Sequence, residues 1–456
     1  MTERARGGSP RAVKRRALGF VSLVATTYFL VSGGPYGLEE LVAKAGWRHA
    51  ILALVATPFL WSLPTALVVG ELAAALPEEG GYYAWTTRAL GPFWGFQEAW
   101  LSLAASVFDM ALYPTLFALY VGRAFPALAI APWPLVLGAG MIVASTGWNL
   151  RGAFAIGRSS VVMGAALLAP FLVMSLLALR LPSTPSVAAP PSSALFPGIL
   201  VAMWNYMGWD NASTIATDVD DPARTYPRAL LTAVALVAVS YVVPLGALAW
   251  AGVPAGSLAE TGAWVDVAAT LGGRPLALAV TLGGVLCGLG MFNALLLVYA
   301  RVPYVLARDG FLPRVLARKS PRTGAPVGAI VVCSLAWSLA LGLGFERLLE
   351  LDVVLYGAAL VIELVTLVVL RVREPSLRRP FRVPGGLAGA IAIAIAPTVL
   401  LALAITDLVR NGRGGGLLLA SAIALLGPIA YAISRLRRAR SARREVESEA
   451  PAGDEP

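Results

Sequence analysis

Carboxylates standing inside apolar runs are the residues of this chain best suited to chemistry. Asp109 and Glu98 fall within the apolar stretch 91–121, and Asp352 and Glu363 within 347–371. A charged side chain at the centre of a membrane helix costs roughly 2.5 to 3.5 kcal/mol on insertion scales, so each is expected to face a cavity or a partner. Glu98, Ser102, Ser106, Asp109 and Tyr113 follow one another at steps of four, four, three and four, which sets them on one helical face. Asp352, Tyr356 and Glu363 repeat the pattern. Asp109 lies deep in its run, whereas Glu98 and Asp352 stand nearer the ends of theirs, within reach of water. Such groups can bind an ammonium group or carry a proton.

Bare backbone is the second resource. Two apolar runs are interrupted, at Ser32-Gly33-Gly34-Pro35-Tyr36-Gly37 and at Asn205-Tyr206-Met207-Gly208-Trp209-Asp210-Asn211. Lipid tolerates freed N–H and C=O groups only where they line a cavity or are buried in protein. Paired interruptions in corresponding positions of two halves point to the substrate site of a secondary transporter. Pro35 is expected at the first position of the helix resuming at Gly37-Leu38-Glu39-Glu40, and Asp210 or Asn211 at the cap of the helix resuming near 211. Helix C-termini near the midplane favour a cation and N-termini an anion, an arrangement suited to a zwitterion or an ammonium.

The elements that must position these groups follow from composition. With 58% hydrophobic and 14% charged residues among 456, the chain is a polytopic membrane protein. Twelve spans are expected, near 17–43, 49–74, 91–121, 131–149, 157–180, 195–217, 227–252, 274–304, 324–344, 347–371, 387–409 and 415–435. With both termini cytoplasmic, 28 of the 36 Lys and Arg residues fall inside and 8 outside, which supports twelve spans in that orientation. The hinge Leu181 to Ser193 is then extracellular and Arg314 to Arg322 cytoplasmic. Residues 1–16 form a cytoplasmic tail with no cleaved signal, and 436–456 a charged tail with nothing to bury. The net charge of +10 reflects orientation and not nucleic-acid binding. Cys287 and Cys333 lie in apolar runs and His49 is the single histidine, so neither a disulfide framework, a metal site nor an enzyme's nucleophile and base is available. No cofactor is expected.

The stretches Glu71 to Trp85 (ELAAALPEEGGYYAW), Asn149-Leu150-Arg151-Gly152, Ala307 to Pro313 (ARDGFLP) and Arg379 to Gly385 (RPFRVPG) together resemble the amino acid-polyamine-organocation transporters. The resemblance implies the leucine-transporter-type fold. In it, 17–180 and 195–371 are inverted five-helix repeats with helices 1 and 6 discontinuous, and 387–435 holds accessory helices 11 and 12. Val31 to Glu39 (VSGGPYGLE), Phe108 to Tyr113 (FDMALY) and Trp204 to Thr214 (WNYMGWDNAST) are most similar to the polyamine uptake branch. Two positions depart from relatives. Val161 to Leu168 holds no lysine of the kind that replaces sodium, and helix 8 reads Asn293 where polyamine transporters carry an acid.

These readings converge on a proton-coupled importer of an amino acid or polyamine, multi-pass in the plasma membrane (the inner membrane in a bacterium), working by alternating access. The backbone of Ser32, Gly33, Gly34, Asn205 and Tyr206 is expected to hold the substrate's polar head, with Trp209 covering it, Asn293 nearby and Tyr113 closing from outside. Asp109, Asp210 and Glu39 are expected to bind further ammonium groups or to titrate with the coupling proton. Glu71 and Asp218, paired with Arg88, Arg224 or Arg308, form an expected inner gate, and Tyr356 and Glu363 join in coupling or gating. Sodium is disfavoured because helix 8 lacks adjacent Ser/Thr donors. Membrane lipid is the remaining partner. An amino acid exchanger or a non-transporting sensor would share the same sequence features.

Overall fold

The structure is a computed structural model that describes residues 18–183, 201–343, 345–410 and 414–449. The tail 1–16, most of the hinge at 181–193, the start of the sixth expected span and the end of the C-terminal tail lie outside those residues. Fourteen α-helices are described: α1 Phe20–Val31, α2 Glu39–Thr57, α3 Leu63–Ala75, α4 Tyr82–Leu90, α5 Pro92–Ala124, α6 Trp133–Asn149, α7 Ala153–Ala178, α8 Pro222–Trp250, α9 Trp264–Tyr299, α10 Arg301–Arg308, α11 Val327–Ser338, α12 Phe345–Arg373, α13 Gly386–Arg410 and α14 Gly414–Glu449. No strand occurs among the described residues.

Eight helical stretches are long and apolar enough to cross a membrane. The other four expected spans are the broken or short ones. The first ends at Val31 and resumes only at Glu39; the sixth is helical to Trp204 and returns as a 3-10 stretch, Asp210–Asp218. The fourth and ninth are helices of 17 and 12 residues. Gly46, at φ 70° and ψ 164°, separates the short helix after the first break from the span that follows. A five-residue π-helical segment, Pro58–Ser62, joins α2 to α3 without interrupting that span.

α5, α9 and α12 form the centre, with α9 also against α7, and α1 against α7 and α8. In the α9–α10 stretch 78% of the apolar window is buried, against 28% in α13 and 11% in α14. The last two helices are therefore peripheral and face lipid. α14 continues past 435 to Glu449, where a structureless tail was expected. The Arg, Ala and Glu residues there have high helix propensity, enough to extend an existing helix without any burial.

Candidate functional site

The site is built where the two breaks meet the polar faces of α5 and α12. Gly208, at φ +99°, brings the sixth span against the end of α1 so closely that a Cβ there would lie 2.4 Å from the Leu30 carbonyl oxygen, and only glycine fits. Between them is a cavity with about 10 Å³ free, room for about one water. Asp109, Tyr113, Trp204, Asn211, Tyr299, Asp352 and Tyr356 are the groups of its lining with polar or aromatic reach. The Tyr113 hydroxyl donates to Asp109 Oδ1 at 2.5 Å and Tyr299 donates to Oδ2 at 3.2 Å, with the Trp204 side chain beside the same carboxylate and stacked on Tyr113. The Gly208 N–H donates to Tyr356 Oη at 2.9 Å, and the Tyr356 hydroxyl donates to Asp210. Asp352 is 2% exposed and within range of the charges of Asp109 and Asp210.

Farther along the same two helices stand Glu98 and Glu363, each 1% exposed. Neither Glu98 nor Asp352 is wet, contrary to the expectation from their positions near span ends, because α4, α5 and α12 pack over them. No salt bridge among the described residues involves Asp109, Asp210, Asp352, Glu98 or Glu363, and no group of three or more acidic, His or Cys residues could hold a metal ion. What this arrangement can do is accept donors and positive charge.

Much of the backbone freed by the breaks is satisfied within the protein. The Gly34 N–H donates to Ser32 Oγ at 3.0 Å, the Gly37 N–H to Glu39 Oε2 at 2.7 Å, and the Trp264 indole to the Pro35 carbonyl at 2.9 Å. In the sixth span, Tyr241 donates to the Asn205 carbonyl at 2.8 Å, the Trp209 indole to Tyr206 at 2.8 Å, and Tyr226 to Ala212 at 2.7 Å. Pro35 lies in a turn and Leu38 caps the resumed helix, so proline is not its first residue. Asp210 falls in the first turn of the 3-10 stretch behind Trp209, and neither it nor Asn211 caps.

Several residues named from sequence lie away from the cavity. Gly33 faces α9, where a Cβ would meet Cys287 Sγ at 2.2 Å and Met291 Sδ at 2.9 Å. Trp209 is wholly buried behind the break, and Trp204 faces the cavity in its place. Glu39 is enclosed by the Tyr120 hydroxyl at 2.6 Å and the N–H groups of Gly37 and Gly262 at 2.7 and 3.0 Å. Asn293 accepts from Asn149 at 3.0 Å and belongs to the α6–α9 contact. Glu71 and Asp218 are ion-paired, but not with the arginines expected. Glu71 takes Arg371 at 2.5 Å and Arg379 at 3.2 Å, and Asp218 takes Arg301, which also reaches Glu79 at 2.9 Å. Arg88, Arg224 and Arg308 pair instead with Glu374, Asp221 and Asp309. Tyr299 was not singled out from sequence, since a lone tyrosine at the end of a long apolar helix carries no periodic signal.

The profile of the amino acid permease family matches residues 18–413. The polyamine transporter PUT1 of Oryza sativa subsp. japonica is 35% identical over 402 residues, covering 87% of this chain and 75% of the relative. The polyamine transporter RMV1 of Arabidopsis thaliana is 34% identical over 391 residues, 83% and 78% of the two chains. An uncharacterized transporter of Mycobacterium tuberculosis is 28% identical over 343 residues, 70% and 73%. A match that runs through both breaks and through the helices carrying the buried carboxylates leaves no other assignment: the chain belongs to the amino acid permease family and is a multi-pass membrane transporter.

Proposed function

We propose that the chain is a proton-coupled polyamine importer of twelve spans, with both termini in the cytoplasm and the two five-helix halves inverted with respect to each other. The observation that carries this reading is the chemistry of the cavity. Asp109, Asp352 and Asp210 surround or adjoin it, Tyr113, Tyr299 and Tyr356 donate to two of them, and no basic residue among those described pairs with any of the three. An amino acid needs a partner for its carboxylate, which three acids would repel; a di- or polyammonium ion needs none. The relatives named as polyamine transporters support the same substrate class.

In this reading, Asp109 and Asp210 bind ammonium groups. A carboxylate buried without a partner is costly enough to hold a proton instead, so proton and amine occupy the same acids in linked fashion. Trp204 and Tyr113, stacked at 6.5 Å, cover the substrate from the outer side. The ion pairs of Glu71 and Asp218 form the inner gate, and the Arg-rich end of the molecule is cytoplasmic. Alternating access follows if the cavity, too small for any polyamine with about 10 Å³ free, enlarges toward one face at a time.

The test is uptake by the purified protein in liposomes under an inward proton gradient, with spermidine, putrescine, arginine and leucine competing. Polyamines should compete best, and collapse of the gradient should stop accumulation. Preference for leucine or arginine would overturn the substrate class; binding without flux would make the protein a sensor. Single cysteines placed at 181–193 and 314–322, in a background lacking Cys287 and Cys333, should label from opposite sides.

A further inference from the structure

The carboxylates of the centre stand at two levels. Asp109 and Glu98 are 11 residues apart on α5, and Asp352 and Glu363 are 11 residues apart on α12. Eleven residues make just over three helical turns, so each pair keeps one face and is separated by about 16 Å along its helix. Because α5 and α12 run in opposite directions, the four acids form an outer pair at the cavity and an inner pair toward the Arg-rich end. Asp210 stands between them, within range of the charges of Asp352, Glu98 and Glu363.

The inner pair is the stranger of the two. Glu98 Oε2, both oxygens of Glu363, the Ser102 hydroxyl and the Tyr82 hydroxyl are all buried and have no hydrogen-bond partner. The Ser102 side chain stands beside both Glu98 and Tyr82. Packing alone does not call for five polar atoms left unmet in one place, since a buried polar group without a partner is unfavourable. Their composition is acceptor-rich and lacks any cation, which is the complement of a primary ammonium with its three donors. The five acids are also too dispersed to share one metal ion. They are spaced as a row of separate cationic groups would be.

We infer that Glu98 and Glu363, with Ser102 and Tyr82, form an inner ammonium subsite, and that the site as a whole selects an elongated linear polyamine whose far end reaches it while the near end sits at Asp109 and Asp352. This rests on the polyamine reading above. An extended chain advances roughly 1.2 Å per bond. The end nitrogens of spermine, 13 bonds apart, are therefore about 16 Å apart, those of spermidine about 11 Å and those of putrescine about 6 Å. Spermine spans both levels, spermidine reaches from the outer level past Asp210, and putrescine occupies the outer level alone.

The experiment measures the affinity of the purified full-length protein for spermine, spermidine and putrescine in Glu98→Gln, Glu363→Gln and Asp109→Asn. In the two glutamine variants the spermine-to-putrescine affinity ratio is expected to fall at least tenfold, with spermidine intermediate. Asp109→Asn is expected to weaken all three amines. An equal loss for all three in both glutamine variants, or no loss, overturns the inner subsite; so does a changed proton dependence shared by all amines with the ratio intact, which would make the pair a proton carrier only. If Asp109→Asn weakens nothing, the polyamine site itself is wrong. If it weakens all three and the ratio never moves, only the inner subsite fails. Should a glutamine variant not insert, Ser102→Ala and Tyr82→Phe read the same ratio with no change of charge.

Discussion

Two sets of buried acids in this protein have the same chemistry and opposite surroundings. At the Arg-rich end, Glu71 is completely buried and receives Arg371, Arg379 and the Val383 N–H, and Asp218 shares Arg301 with Glu79, which Lys319 also reaches at 2.7 Å. In the centre, Asp109, Asp210, Asp352, Glu98 and Glu363 are as buried as Glu71 and form no salt bridge among the described residues: tyrosine hydroxyls donate to Asp109 and Asp210, the Trp204 side chain lies beside Asp109, and Glu98 Oε2 and both Glu363 oxygens have no hydrogen-bond partner. Burial does not separate the two sets; the presence of arginine does. An acid already neutralised by a fixed cation can latch two elements together but cannot receive a mobile cation. An acid left without one keeps the capacity to take up a proton or an ammonium group.

The sharpest way to break this comparison is to neutralise one acid from each set and ask which property fails. Asp109→Asn leaves no cation stranded, so the protein should melt at or above the wild-type temperature while gradient-driven polyamine uptake is lost and affinity falls at least tenfold. Glu71→Gln strands two arginines, and breaking a buried ion pair costs about 3 to 5 kcal/mol. Its melting temperature in detergent should drop steeply, and the correlated loss of uptake should return with ligand-stabilised protein. If the two variants swap these signatures, the division into latching and binding acids is wrong.

A smaller effect concerns the first break. Gly33→Ala should destabilise by about 1 to 3 kcal/mol through overpacking against Cys287. Cys287→Ala in the same chain should restore most of that loss and the uptake with it, as measured by melting and flux. Failure of the second substitution to rescue would mean that the glycine is required by a ligand and not by α9. The smallest effect is at the surface. Glu374 is held below the usual carboxylate range by its hydrogen bond to Arg88, with bonds at 2.7 and 2.8 Å. A lowered carboxylate value stabilises the fold above the ordinary value and ceases to do so as pH falls through the lowered one. Arg88→Gln should therefore destabilise the fold slightly at neutral pH, by no more than about 1 kcal/mol given the exposure of the pair, seen as a small drop in melting temperature that vanishes in acid.

The sequence made the carboxylates legible because the cost of charge in lipid is independent of any partner, and helical periodicity assigned Glu98, Ser102, Ser106, Asp109 and Tyr113 to one face before any neighbour was known. Gly33, Gly34 and Pro35 marked the first break, and Gly208 among Asn205, Asp210 and Asn211 the second, for the same local reason. What lay beyond reach depended on distant packing. Glu71 and Arg371 are 300 positions apart, and with 36 basic residues nothing local chose among them. Helical phase is lost across an unwound segment, so the sequence could not tell that Trp204 would turn toward the cavity and Trp209 away from it. Nor could it tell that Gly33 met a helix where Gly208 met the end of α1.

The tyrosines around the sixth span carry a last implication. Tyr241, Tyr226 and Tyr356 tie its peptide groups to α8 and α12, and Tyr206 within the break donates to the Leu54 carbonyl at 2.9 Å. A segment without regular helix is thus held in one conformation before any ligand arrives. Fixing a residue's backbone costs about 1 to 2 kcal/mol of conformational entropy, and here that loss is incurred during folding. A ligand bound here would forfeit none of its free energy to ordering the unwound residues, and any change of shape at the cavity would fall to the regular helices around a stiff joint.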